Sequence, residues 1–287
     1  MRVGVAGVGA MGLEMAGHVL DKGMEVIAFD PDSAAMDAAV ARGLTPAPDL
    51  AALVDGTSAI LVMVANDNQS HAVVTALLAA GPAAGTTIVV SATNHPKTMI
   101  DLDALCSAAG VGFVDAPVCY GMQGARKGEL ISLCGGTEED IARITPVLMA
   151  YSRSVEHIGP VGCGQIAKTC NNMMHWAACV ANYETLALAK ACGIDAQAMR
   201  ETLLKCPARN TTLERWDTSR FTWQEKDMDL TLELSQSAGL SLPLFGLIDQ
   251  LIKRLGPDDV RELLHEPQAS YLGLPITAHE LRDVVGD

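Results

Sequence analysis

Aromatic side chains are scarce in this sequence: Phe, Trp and Tyr together make up 4% of 287 residues. A core short of large rings has to close with small and aliphatic groups. Ala, Gly, Val, Leu and Met are plentiful, which favours close helix–helix and helix–sheet packing. Positive charge is scarce as well. The 20 Lys and Arg face 34 Asp and Glu, a formal net charge of −14. That balance argues against nucleic acid and anionic membrane surfaces as partners. A small anionic ligand would have to be met by a few local cations against the overall field.

Long apolar runs are missing too. The longest, residues 59–65 (AILVMVA), is far too short to span a bilayer. The apolar N-terminal residues lead straight into a Gly-rich turn, not into a signal-peptide pattern. Paired cysteines are also absent. None of Cys106, Cys119, Cys134, Cys163, Cys170, Cys179, Cys192 and Cys206 forms a C-x-x-C pair, and no His stands at zinc-ligand spacing from such a pair. Most lie in apolar runs, where a free thiol behaves as a small hydrophobe. The expectation is a reduced, soluble, cytoplasmic chain without a metal site.

What is present describes a globular protein: 49% hydrophobic and 19% charged residues, long enough for about two domains. The first half alternates strand-like and helical runs. Strands are expected at residues 2–6 (RVGVA), 25–29 (EVIAF), 59–64 (AILVMV), 87–90 (TIVV), 112–114 (GFV) and 131–134 (ISLC). Helices are expected between them at residues 11–22, 31–41, 68–79, 100–109 and 138–149, with Gly or Pro at nearly every junction. That alternation implies parallel pairing through right-handed crossovers, hence an open α/β sheet. After Gly162 the pattern is helical throughout, broken at Gly193, Pro207, 239–243 and 256–257, with no strand expected from Gln165 onward. A helix from about Gln165 to about Ala191 is long enough to bridge domains or form a subunit interface. The division falls at 1–162 and 163–287. No internal repeat or low-complexity segment stands out.

The first strand runs into Gly7-Val8-Gly9-Ala10-Met11-Gly12, a G-x-G-x-x-G turn that opens a helix. Gly7 permits the tight turn, Gly9 lets a pyrophosphate approach the backbone, and Gly12 lets helix and strand pack closely. Ala10 and Met11 then lie at the helix N-terminus that faces the phosphates. An acid, Asp30, ends the next strand-like run, which is the confirming context for a dinucleotide turn. A carboxylate there accepts hydrogen bonds from ribose hydroxyls and repels a 2′-phosphate, and no Arg or Lys follows Asp30-Pro31-Asp32 closely, so the cofactor reads as NAD. Asp30 is also placed to act only as a cap for the helix starting near Pro31.

Lys168 is the only formally charged residue between Gly164 and Tyr183, in a stretch rich in Ala, Met and Cys. Asn172 stands four residues later and so shares its helix face. An amine in an apolar, water-poor cleft loses pKa toward neutrality and can accept and return a proton. A lysine that snorkels to the surface from the helix end is the plainer alternative. Between these motifs, a Gly-rich stretch at residues 121–128 reads either as backbone N–H groups aimed at a carboxylate or as a flexible surface loop.

Taken in order, Gly7–Gly12 with residues 13–16, Asp115-Ala-Pro-Val-Cys-Tyr-Gly121, Gly162-Cys-Gly-Gln-Ile-Ala-Lys168-Thr-Cys-Asn-Asn172 and Lys226-Asp227 resemble the β-hydroxyacid dehydrogenases over roughly residues 1–260. The resemblance implies an N-terminal Rossmann-type doubly wound sheet, a long interdomain helix and an all-α C-terminal domain, in a homodimer or homotetramer. It implies reversible NAD(P)-dependent oxidation of a hydroxyl β to a carboxylate, with Lys168 as the catalytic lysine and Asn172 as its partner. It also places Lys226 near substrate and cofactor, and Thr93 near the nicotinamide ribose, with Ala92 in place of the usual Ser. Val64, closing the third strand, is assigned to the cofactor site. Cys119, Tyr120, Gly121, Lys226 and His175 are assigned to the substrate, although His175 also reads as a packed or interfacial residue.

Besides Ala92, the match departs from the family in the 115–121 loop and in the tail. Cys119 and Tyr120 stand where Ser and Gly belong, and a thiol is the weaker donor. Tyr120 is not expected to take a glycine-only backbone conformation; its phenol either substitutes for the lost Ser hydroxyl or shapes the pocket for a different acid. The tail from His265 to Asp287 has no family counterpart and is expected to form a short amphipathic helix packing on another subunit. An imine reductase of similar architecture and a catalytically silent NAD-binding module are the competing readings; the retained Lys168 speaks against both.

Overall fold

The computed structural model describes residues 1–218, 221–280 and 283–284. The chain forms two compact units, Met1–Lys168 and Thr169–Asp287.

The first unit begins β1 (Arg2–Ala6), α1 (Ala10–Asp21), β2 (Glu25–Phe29), α2 (Ser33–Ala41) and β3 (Thr45–Pro46). It continues with β4 (Ala59–Val62), α3 (Asp67–Ala79), β5 (Thr87–Val90), α4 (Pro96–Ala108) and β6 (Gly112–Asp115). Then come β7 (Val118–Cys119), α5 (Gly121–Lys127), β8 (Leu130–Gly135), α6 (Glu138–Tyr151) and β9 (Ser152–Gly159). The sheet order is β3-β2-β1-β4-β5-β6, all parallel. β4 and β5 are buried along their whole length, as parallel strands covered on both faces must be. Alternation sends Ala59 and Leu61 of β4 to one core with α1 and α6, and Ile60 and Val62 to another with α3 and α4.

The far edge of the sheet differs from the all-parallel expectation. β6 and β7 act as one interrupted strand running antiparallel to β8, because the link at residues 120–129 is too short for a crossover. β9 then lies parallel along the other edge of β8. Its exposed, polar alternation (SRSVEHIG) gave no strand signal. α5 occupies the stretch read as a Gly-rich loop, and α4 starts at Pro96, not Ile100, with Pro in the first turn and the His95 side chain accepting from Lys97 N.

α7 (Cys163–Ala191) starts in the first unit and continues into the second for 29 residues in all. α8 (Ala196–Leu203), α9 (Thr211–Glu214), α10 (Gln224–Ser237), α11 (Pro243–Ile252) and α12 (Pro257–His265) follow. Trp176, Val180, Tyr183 and Leu186 recur at helical spacing along α7 and enter a core with Trp216, Met228, Ile252 and Leu263. The helical expectation for the tail needs correcting. After α12 the chain forms a hairpin, β10 (Ser270–Tyr271) and β11 (Leu274–Pro275), turned by Leu272 and Gly273 at φ +54° and +81°. Tyr183 Oη donates to Ser270 O (2.8 Å) and Tyr271 Oη to Glu184 Oε1 (2.7 Å), so the tail is tied to α7 within this unit. The expected tail helix otherwise falls partly on residues 281–282 and 285–287, outside the described residues. Among the described residues, no helix is long and apolar enough to cross a membrane.

Candidate active site

The turn from β1 into α1 is shaped by what glycine omits. Gly7 sits at φ +94°, and a Cβ there would lie 2.2 Å from Met63 O. A Cβ on Gly12 would lie 2.1 Å from Gly7 O, whereas one on Gly9 would meet nothing within 4 Å. Two glycines therefore close the turn and the third leaves bare backbone beside open space. Gly9 caps α1 without a side-chain hydrogen bond. The first N–H groups of a helix have no intrahelical acceptor and sit at its positive dipole end, the donor arrangement a pyrophosphate needs. Val64 Cγ1 is 3.4 Å from the same Gly7 Cβ position, so Val64 flanks the turn.

Asp30 binds this turn directly. Its Oδ2 accepts from Val8 N (2.9 Å) and its Oδ1 from Asp32 N (3.0 Å). Capping of α2 falls to Asp32, which accepts from Ala34 N at 2.9 Å, so the reading of Asp30 as that helix's cap is corrected. A carboxylate has lone pairs left beyond two backbone donors and can still accept from ribose hydroxyls. The Arg at the end of α2, Arg42, is committed to Gly17 O and Asp21. The cradle and the acid together fit a nicotinamide dinucleotide.

Lys168 lies in the second turn of α7, half-buried, with Nζ donating to Val118 O at 2.8 Å. That carbonyl immediately precedes Cys119. Burial pushes the Cys119 thiol up from its ordinary value, with the Lys168 charge opposing, so thiol and amine share one environment. The start of α7 is fixed by a buried polar network that the sequence reading missed. Asp115, fully buried at the end of β6, accepts from Gly162 N (2.7 Å) and Gln165 N (2.8 Å). Burial pushes its pKa up to about 6, against those backbone hydrogen bonds, which lower it. Gln165, also fully buried, accepts from Asn94 N (3.0 Å) and donates to Ala92 O (2.8 Å). Asn94 in turn donates to Ser70 Oγ at 2.7 Å. The residues on either side of Thr93 are thus bolted to the first turn of the lysine's helix. Gly164 allows this: a Cβ there would lie 2.4 Å from Leu133 O and 2.7 Å from Asp115 Oδ2.

Tyr120 contradicts the expectation that it avoids glycine's conformation. It sits at φ +84°, ψ 0°, and Gly121 follows at φ +53°. Such a backbone costs a non-glycine residue about 1–2 kcal/mol. Its phenolic oxygen accepts from Arg153 Nη2 at 2.6 Å, and Arg153 Cζ lies 4.3 Å from the ring centroid. Tyr120 also packs against the α1–α6 core.

The remaining candidates lie in the second unit. Asn172 Oδ1 accepts from Asn171 Nδ2 at 3.1 Å. His175 Nδ1 pairs with Thr212 Oγ1 (3.0 Å) and its ring lies 4.6 Å from that of Trp176. Trp176 Nε1 donates to the buried Asp227 Oδ2 at 3.0 Å, which ties the start of α10, and with it Lys226, to α7. In the first unit the structure therefore gathers Gly7–Gly12, Asp30 and Val64 at one turn, and Lys168, Val118 and Cys119 at another.

This sequence matches the family profile described as the NAD binding domain of 6-phosphogluconate dehydrogenase over residues 2–159. Over residues 162–266 it matches the profile described as "NAD-binding of NADP-dependent 3-hydroxyisobutyrate dehydrogenase". It is 27% identical over 272 residues to 2-(hydroxymethyl)glutarate dehydrogenase of Eubacterium barkeri, covering 88% of each chain. It is 28% identical over 273 residues to the NAD-dependent L-serine dehydrogenase of Pseudomonas aeruginosa, covering 88% of this chain and 92% of that one. The fold matches that of Mycobacterium tuberculosis 3-hydroxyisobutyrate dehydrogenase with L-serine at a TM-score of 0.81 and 24% identity, covering 92% of this chain and 99% of that one. The chain belongs to the β-hydroxyacid dehydrogenase family. It is accordingly an NAD(P)-binding oxidoreductase with a Rossmann-type sheet and a helical C-terminal part.

Proposed function

We propose that the chain oxidises a small carboxylic acid carrying a hydroxyl on its β-carbon, reversibly, with NAD as cofactor and Lys168 as general acid and base. The relatives' names support the substrate class: 2-(hydroxymethyl)glutarate, L-serine and 3-hydroxyisobutyrate all carry a CH2OH on the carbon next to a carboxylate. The product of such an oxidation is a semialdehyde. The observation that carries the reading is the placement of Lys168 Nζ on Val118 O, one residue before the Cys119-Tyr120-Gly121 segment, on a helix start bonded to both neighbours of Thr93.

The dinucleotide, when bound, supplies the hydride acceptor. Lys168 takes the hydroxyl proton at Nζ during oxidation and returns it to the oxygen during reduction. Asn172 orients that oxygen through its amide, and Lys226 offsets the substrate carboxylate, with His175 lining the same region. Cys119, Tyr120 and Gly121 receive the rest of the acid, and Thr93, Val64, Ala10 and Met11 line the cofactor. Asp30 selects NAD over NADP by repelling a 2′-phosphate. Residues 1–162 form the cofactor domain, and residues 163–287 the substrate and oligomerisation domain of a cytoplasmic homodimer or homotetramer.

The test mixes the protein with NAD and a panel of small 3-hydroxy acids at alkaline pH and follows NADH absorbance. Turnover of at least one acid with a primary β-hydroxyl is expected. NADH binding without turnover of any of them would favour a silent cofactor-binding module instead.

A further inference from the structure

We infer that Arg153 is a positioning residue for the substrate segment 119–121 and acts through Tyr120; this rests on the proposed reading that the segment receives the acid. Tyr120 and Leu272 are the non-glycine residues at positive φ among the described residues. Leu272 sits in a two-residue hairpin turn, where that backbone is required. Tyr120 needs another cause, and two contacts with Arg153 and the space left by a glycine supply it. The guanidinium donates to the phenolic oxygen at 2.6 Å, and Arg153 Cζ lies 4.3 Å from the ring centroid. Gly124 makes the room: a Cβ there would lie 2.5 Å from Tyr120 Cβ.

Arg153 has little else to do. It projects from the exposed edge strand β9 and, among the described residues, forms no ion pair, although acids outnumber bases in this chain. Its effect reaches the chemistry in two short steps. Tyr120 follows Cys119, whose thiol senses Lys168, and Cys119 follows Val118, whose carbonyl holds Lys168 Nζ. Released from Arg153, Tyr120 relaxes toward negative φ, the favoured side for an L-residue, and the peptides on both sides of it rotate. The backbone that meets the acid shifts, while the glycine turn that meets the cofactor does not.

Steady-state kinetics on wild type, Arg153→Ala, Arg153→Lys, Tyr120→Gly and the double variant Tyr120→Gly/Arg153→Ala test this. In the wild-type background, Arg153→Ala should raise KM for the hydroxy acid about tenfold, with kcat and KM for NAD changed less than about threefold. Arg153→Lys should recover part of the loss, because an ammonium can still donate to the phenol. In the Tyr120→Gly background, Arg153→Ala should leave KM unchanged, since glycine needs no brace at positive φ. An equal rise in both backgrounds would mean that Arg153 meets the substrate itself. No rise in the wild-type background, with activity still dependent on Lys168, would overturn the inference and leave the proposed function standing. The same double-variant cycle read by urea unfolding reports the clasp without turnover. Coupling there, in a protein that turns over no hydroxy acid, would overturn the functional reading and with it the role assigned to Arg153.

Discussion

Two turns in the first unit reach the same left-handed backbone by opposite means. Gly7 stands at φ +94° because no side chain fits beside Met63 O, and Asp30 braces the turn through Val8 N. Tyr120 stands at φ +84° with a full aromatic side chain, and Arg153 braces it from outside. The difference follows from what each turn meets. At Gly7 the missing Cβ lets the turn close against Met63 O, which leaves the open backbone at Gly9 for the pyrophosphate proposed to bind there. The segment 119–121, proposed to receive a small acid, can keep a side chain, provided that a neighbour offsets the conformational cost of about 1–2 kcal/mol. A cation over an exposed ring contributes about 0.5–1 kcal/mol, and a hydrogen bond from a charged donor adds to it.

Of the two turns, the one at Gly7 tolerates substitution least. Gly7→Ala sets a methyl 2.2 Å from a backbone oxygen, with strain at φ +94° besides. We expect a loss of about 3 kcal/mol or more in stability, or a fall of about a hundredfold in NADH affinity. Thermal unfolding and a fluorescence titration measure the two, and normal values in both would dismiss the steric account of the turn.

Asp115, beneath the second turn, is tested next. Burial raises its pKa from 3.8 to about 6, so between those values the folded protein holds a proton that the unfolded chain has released. Its contribution to stability is full below the lower value and declines as pH rises through the upper one. Asp115→Asn does not titrate. The stability advantage of wild type over this variant should therefore shrink by up to about 3 kcal/mol between about pH 4 and pH 7 in urea unfolding. A difference that stays flat over that range would contradict the burial of this carboxylate.

Asp30→Ala should reduce the preference for NAD over NADP about tenfold in KM ratio, because the carboxylate proposed to repel a 2′-phosphate is gone. An unchanged ratio would leave Asp30 only its brace on Val8. The smallest effect belongs to Tyr120→Gly, where relief of strain and loss of packing oppose each other. Its stability should stay within about 1 kcal/mol of wild type; a loss several times larger would show that the ring is needed for the fold.

The glycine turn was legible in the sequence because sterics leave few alternatives to Gly7 and Gly12, and because a strand, a helix and Asp30 surround them in the expected order. The parallel half of the sheet was legible for a similar reason, since runs such as AILV and TIVV are apolar throughout when both faces are covered. The edge of the sheet was not. β9 is exposed and alternates polar residues, and β8 turned antiparallel because its connection is short. The buried roles of Asp115, Asn94 and Gln165 went unread, although Asp115 and Gln165 stand in the motifs themselves, because polar residues are usually found at the surface. For Gln165 a signal existed: it stands three residues before Lys168, so its side chain shares that helix face. Tyr120 at positive φ carried one mark, its place where the resembling family has Gly, but a tyrosine there argued against that conformation. Its brace, Arg153, is 33 residues away in sequence.

The proposed proton transfer depends most on Lys168, and one substitution addresses it. In Lys168→Ala, turnover of the accepted hydroxy acid should fall about a hundredfold or more, while NADH binds with wild-type affinity. A variant that kept most of its turnover would show that the proton travels by another group, and the mechanism proposed for this site would be wrong.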